Sequence, residues 1–159
     1  RCLQTTKGVV ENIGYQGYWI AREDLREAFG IKYPDKRETK SHLEARWPHV
    51  QFQDMAEEDE WWKPDCRESW QSLQQRVDRF LHWVSWNQLI HSVDKPASST
   101  PCGSNLLVVS HGVWMECFLS RYCPEVLQGG KRVHNCDTFY STLVCDWEKE
   151  SDQWICNRI

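Results

Sequence analysis

No stretch of this chain carries the roughly 18 consecutive apolar residues that a helical membrane span requires. The first residues, Arg1 to Thr6, lack the charged-then-apolar pattern of a secretory signal. Residue 1 is Arg rather than Met, which fits a processed chain, a fragment or a partial reading frame. There is no CxxC pair, no internal repeat and no low-complexity tract. Positive charge is not in surplus either. The net charge is −4, which argues against nucleic acid or an anionic membrane surface as a partner.

What is present describes an ordinary globular domain. The 159 residues are 40% hydrophobic and 26% charged, enough to bury one real core, and a single domain over 1–159 is expected. The ten tryptophans have no basic patch beside them, so core and half-buried surface is a better reading than a stacking platform. The eight cysteines (2, 66, 102, 117, 123, 136, 145 and 156) form an even set that a disulfide framework would allow. Their wide spread, and the apolar settings of Cys117 and Cys145, favour reduced thiols in a cytoplasmic protein. Cys123, His134 and Cys136 fit no standard zinc spacing, and no metal or other cofactor is expected.

Hydrophobic periodicity divides the chain. Leu3, Val10 and Ile13 share a helical face that ends at Gly14 and Gly17. Tyr18-Trp19-Ile20 is β-prone, and 22–30 is turn-rich. Asp35, with Glu38 three residues on, reads as the N-cap of a helix that carries Leu43 and Trp47 and stops before Pro48. Residues 51–64 read as a solvated acidic loop. A long helix from about 66 follows, with Leu73, Val77, Phe80, Leu81 and Val84 as its apolar stripe. Residues 94–104 form a surface loop. Leu106 to Val109 reads as a strand buried on both faces, and a helix begins immediately after Gly112. The tail, 138–156, alternates in strand fashion around a turn at 148–152, as an antiparallel hairpin does.

The sharpest chemical signal is that apolar run feeding Ser110-His111-Gly112 at a helix start. Ligands of α/β sheets sit beyond the carboxyl ends of strands, and a helix N-terminus offers free N–H groups to an anion. A His there can donate to phosphate and titrate near neutrality. Taken alone, a single His is more often structural.

Several segments in order resemble one family. Val108-Val109-Ser110-His111-Gly112 is similar to the second histidine motif of the histidine phosphatase superfamily, in its phosphoglycerate mutase-like branch. Arg1-Cys2-Leu3-Gln4-Thr5-Thr6 resembles the tail of its Ser-x-Leu-x-Arg-x-x-Gln-Thr segment. Asp24-Leu25-Arg26-Glu27 resembles its Leu-Arg-Glu segment, and Arg67-Glu68-Ser69, with Arg76 downstream, its Gly-Glu-Ser segment. His134-Asn135-Cys136 resembles the loop after the second histidine.

The resemblance implies a three-layer α/β/α sandwich of the phosphoglycerate mutase-like type, here lacking its first strand. It also implies hydrolysis of a small phosphorylated metabolite through a phosphohistidine. In such a site Arg1 and His111 would bind phosphate. His111 would also steady the transferring group, and Glu27 would act as acid and base. Asn135 would orient the nearby loop. The Asp35 to Pro48 stretch resembles phosphatase-like members rather than mutases. Yet no Arg-His-Gly, the family's nucleophile motif, occurs anywhere in the sequence. The chain as written is therefore expected to lack turnover and to be less stable than a complete domain. The bulky Val113-Trp114 after the second histidine motif is expected to narrow the pocket. The alternatives are a non-catalytic relative that binds phosphate ligands or protein partners and, far behind, a thiol or zinc protein.

Overall fold

The computed structural model describes residues 1–17, 19–93, 106–127, 132–134, 137–139, 142–145 and 154–157. Helix α1 spans Cys2–Ile13 and closes on Gly14, whose left-handed φ of 66° brings its N–H to the Val10 carbonyl. Val10 is buried, whereas Ile13, expected on the same face, is exposed. Strand β1, Trp19–Arg22, pairs in parallel with β2, Val50–Gln53, in the register Trp19 to Val50. Helix α2, Lys40–Arg46, lies in the crossover between them. β2 overlaps the start of the 51–64 segment expected to be an acidic loop, and it alternates as a half-buried strand does: Val50 and Phe52 turn inward while Gln51 stays exposed.

Helix α2 begins later than expected. Thr39 is its N-cap, accepting from the His42 amide at 3.3 Å. Asp35 instead ends a short 3-10 turn, because Arg67 has taken its carboxylate in an ion pair of 2.7 Å. Helix α3 runs Trp70–Val93, starting after Ser69, whose hydroxyl accepts from the Ser72 amide. Its expected stripe (Leu73, Val77, Phe80, Leu81 and Val84) is buried throughout.

Helix α4 is Gly112–Tyr122, with His111 as N-cap. It packs on α3 through Trp114 and Cys117, both almost fully buried. Burial pushes the Cys117 thiol up to about 11, so it behaves as the small hydrophobe the sequence suggested. Strands β3, Thr142–Cys145, and β4, Trp154–Asn157, pair antiparallel as expected of a hairpin. The turn between them, the 94–104 loop and Asn135 lie outside the described residues.

Three further expectations are corrected. Residues 106–110 pair with no strand among the described residues. Without a ladder to bury them, Leu106 and Leu107 are 50% and 55% exposed rather than sandwiched. Cys123 is disulfide-bonded, whereas Cys2, Cys66 and Cys117 are free. Trp114 does not narrow a pocket. It is 1% exposed, and its indole N–H donates inward to the Asp24 carbonyl at 2.6 Å.

The acidic 57–60 stretch is less solvated than its composition suggests. The side chain of Asp59 is 1% exposed and holds the Arg26 guanidinium through both oxygens, at 2.9 and 2.7 Å. It also accepts the backbone amides of Arg37, Trp61 and Trp62. Arg37 binds the carbonyls of Ala56, Glu57 and Glu58, so the loop is wrapped around a cation.

Gly30 allows segment 29–31 to lie against 63–68. Its φ is +89°, and a Cβ there would stand 1.8 Å from the Cys66 carbonyl oxygen. Gly30→Ala is expected to cost more than about 1 kcal/mol in urea unfolding. An unchanged midpoint would contradict this close approach.

Candidate active site

The three proposed site residues come from distant segments. Arg1 is the N-cap of α1, His111 is the N-cap of α4, and Glu27 follows a single 3-10 turn at Glu23–Leu25. The structure brings them within one electrostatic neighbourhood. Burial lowers the His111 pKa below its ordinary 6.5, Glu27 opposes that shift, and Arg1 and the chain's amino group add to it. Burial likewise raises the Cys2 thiol, which also feels Arg1 and Glu27. Arg1 and His111 each stand at a helix N-terminus, a position with free N–H groups and a positive dipole end.

No hydrogen bond or ion pair joins Arg1, Glu27 and His111 to one another among the described residues. Oε1 of Glu27 accepts the Ala28 amide at 2.8 Å, which fixes that carboxylate against its own backbone. The segments carrying Glu27 and His111 are tied directly, because the Ser110 hydroxyl donates to the Leu25 carbonyl at 2.7 Å. Trp114, three residues after His111, makes the second tie at Asp24. Segment 132–134 lies against α4. Val133 donates its amide to Glu116 of α4, and its carbonyl passes 3.8 Å from where a Cβ on Gly112 would stand.

Sequence reasoning missed Asp35 and Arg67. The buried Asp35 carboxylate sits between two guanidinium groups, Arg67 at 2.7 Å and Arg1 at 4.0 Å, and it is also felt by His111. It can thus orient Arg1, whose own side chain is 70% exposed. No spacing rule links residues 35 and 67, so only the fold reveals the pair.

An open cavity of about 780 Å³ lies elsewhere, lined by Arg22, Asp54, Arg79, His82 and Trp83 among others. It contains none of the three site residues. Its cations are engaged, Arg79 by Asp24 and Arg22 by Asp24 and Asp54. The surroundings of His111 are therefore the better candidate for anion chemistry. No group of acidic, His or Cys side chains suited to a metal ion occurs among the described residues. No helix among them is long and apolar enough to cross a membrane.

Comparison with known proteins bears on this arrangement. No solved structure is a significant match. The chain is 36% identical over 66 residues to phosphoglycerate mutase-like protein 1 of Arabidopsis thaliana, an alignment covering 41% of this chain and 23% of that protein. The chain thus spans under a quarter of that relative's length in the matched region. The sequence model of the histidine phosphatase superfamily (branch 1) matches residues 1–157, nearly the whole chain. The chain belongs to the histidine phosphatase superfamily, branch 1.

Proposed function

We propose that this chain belongs to a phosphomonoester hydrolase that works through a phosphohistidine on small phosphorylated metabolites. The observation that supports the reading is that Arg1 and Glu27, from two other segments, both bear electrostatically on His111, while Arg1 and His111 each cap a helix N-terminus. In this reading the family's three-layer α/β/α sandwich is completed by a strand that ends in Arg-His-Gly. That His attacks phosphorus, the alkoxide leaves, and the phosphoryl group rests on the imidazole. Glu27 gives its proton to the departing oxygen and then takes one from the water that attacks next. Arg1 and His111 hold the equatorial oxygens, where charge accumulates in each transfer. These steps use Arg, His and Glu side chains and require no metal. A cytoplasmic setting belongs to the same reading. The free thiols accord with it, and the Cys123 disulfide does not.

A second reading is a non-catalytic relative of the same fold that binds phosphate ligands or protein partners. The native transcript upstream of Arg1 separates the two. An encoded strand ending in Arg-His-Gly is expected, and the longer product should hydrolyse p-nitrophenyl phosphate. Glu27→Gln and His111→Ala should each reduce that rate by about 100-fold or more, the usual scale for losing a general acid or a transition-state donor. A true start at or near Arg1, or a rate indifferent to both substitutions, would sink the hydrolase reading.

The lowered His111 pKa has a stability consequence of definite sign. The folded state disfavours the imidazolium, so this stabilisation is fully present above the unfolded value of about 6.5. It is lost as pH falls through the lower folded value. His111→Gln should therefore flatten the decline in melting temperature between pH 7 and 5. An unaltered slope would show that His111 is not held neutral.

A further inference from the structure

Arg76 interrupts the apolar stripe of α3, yet it is 1% exposed. Its guanidinium is fully committed. Nε and Nη2 donate to the Glu68 carboxylate, at 2.8 and 2.5 Å, and that side chain is itself completely buried. Nη1 donates to the carbonyls of Asp24 and Arg26, at 3.0 and 2.9 Å, with a longer reach of 3.4 Å to that of Glu23. Nη2 also reaches the Glu27 carbonyl at 3.3 Å. The rings of Phe29 and Trp61 lie 5.5 and 5.7 Å from the guanidinium carbon.

Residues 23–27 have one 3-10 turn, in which the Glu23 carbonyl accepts the Arg26 amide, and no strand partner among the described residues, so the other carbonyls turn to side chains for hydrogen bonds. Ser110 and Trp114 satisfy two of them, and Arg76 reaches all but that of Leu25. Packing α3 against its neighbours does not call for a buried cation, which carries a desolvation cost that an apolar side chain avoids. What Arg offers instead is a rigid planar fork that addresses several acceptors at fixed angles. Glu68 neutralises the fork, and its own amide donates to the Phe29 carbonyl, just beyond the same segment.

We propose that Arg76, neutralised by Glu68, is a positioning residue for Glu27, fixing the backbone segment from which that carboxylate acts on His111. It touches no substrate, and the inference rests on Glu27 being the acid–base group.

The test is a double-mutant cycle read at His111 by NMR titration. The groups that bear on His111 are the carboxylates of Glu27 and Asp35, which raise its pKa, and the Arg1 guanidinium and the amino group, which lower it. Glu27→Gln should therefore lower the His111 midpoint in the otherwise unchanged protein. In an Arg76→Lys background the same substitution should produce less than roughly half of that fall. Because Arg76→Lys leaves a poorly matched buried pair, Arg76→Met with Glu68→Gln serves as a second background that removes both charges.

A merely structural Arg76 would lower the melting temperature in both backgrounds and leave the Glu27-dependent fall unchanged, which overturns the proposal. Failure of both variants to fold would also overturn it, by making Arg76 a residue of the fold alone. Inorganic phosphate added to the unchanged protein keeps the two readings apart. Loss of coupling in the variants, with no phosphate binding to the unchanged protein, would support positioning by Arg76 and refute the phosphate site.

Discussion

Trp114→Ala is expected to lower the unfolding free energy by about 4 kcal/mol, the largest single loss in the described core. The indole is 1% exposed and forms the centre of an aromatic column. It meets Phe80 edge-on at 5.6 Å and Phe118 in a stack at 5.7 Å, and Phe118 continues to Tyr122. Truncation removes that area and leaves a cavity between α3 and α4. It also strips the Asp24 carbonyl of its indole donor. Urea denaturation measures the loss, and the Glu27 segment should loosen with it. Trp114→Phe, which keeps most of the packing but not the N–H, should fall between. A loss under about 1 kcal/mol in Trp114→Ala would mean that α4 does not pack as described.

Asp59→Asn is expected to cost about 3 kcal/mol, within the range for breaking a buried pair by removing one charge. Burial opposes ionisation of Asp59. The Arg26 guanidinium and the amides of Arg37 and Trp62 outweigh it, holding the carboxyl at about 2. The sign follows from the depressed folded value. The stabilisation is present above the unfolded carboxyl value of about 3.9 and is lost as pH falls through about 2. Among the described residues Arg26 would be left with Glu23 as its one carboxylate partner, while Glu23 also serves Arg37. Denaturation at pH 6 should show the full loss, and the difference from the unchanged protein should shrink toward pH 2. A difference independent of pH would mean that Asp59 contributes shape rather than charge.

Local patterning made much of the fold legible. The α1 helix, the α3 stripe and the terminal hairpin follow from apolar spacing, and the α3 stripe is buried throughout. The misplaced features share a different cause. Asp35 has the sequence context of an N-cap, but a guanidinium 32 residues away holds its carboxylate. Asp59 sits in an acidic run whose composition signals solvent, yet the Arg26 guanidinium and the Arg37 amide, from elsewhere in the chain, fold it inward. Leu106 and Leu107 have the composition of a buried strand, and burial depends on a ladder partner that composition cannot supply. For the site, the short motifs pointed to Arg1, Glu27 and His111. The residues that connect them (Ser110, Asp35, Arg67) act through long-range bonds that leave no periodic trace.

The central claim is that Arg1, Glu27 and His111 surround a phosphate site. It is tested most directly by titrating the chain with inorganic phosphate while following the His111 imidazole by NMR. Bound phosphate should favour the imidazolium, so the His111 midpoint should rise from its lowered value as phosphate saturates. Arg1→Ala should weaken that binding by about tenfold or more, the scale of a charge-assisted hydrogen bond. A His111 midpoint unmoved by phosphate, or a response that Arg1→Ala leaves intact, would contradict the account.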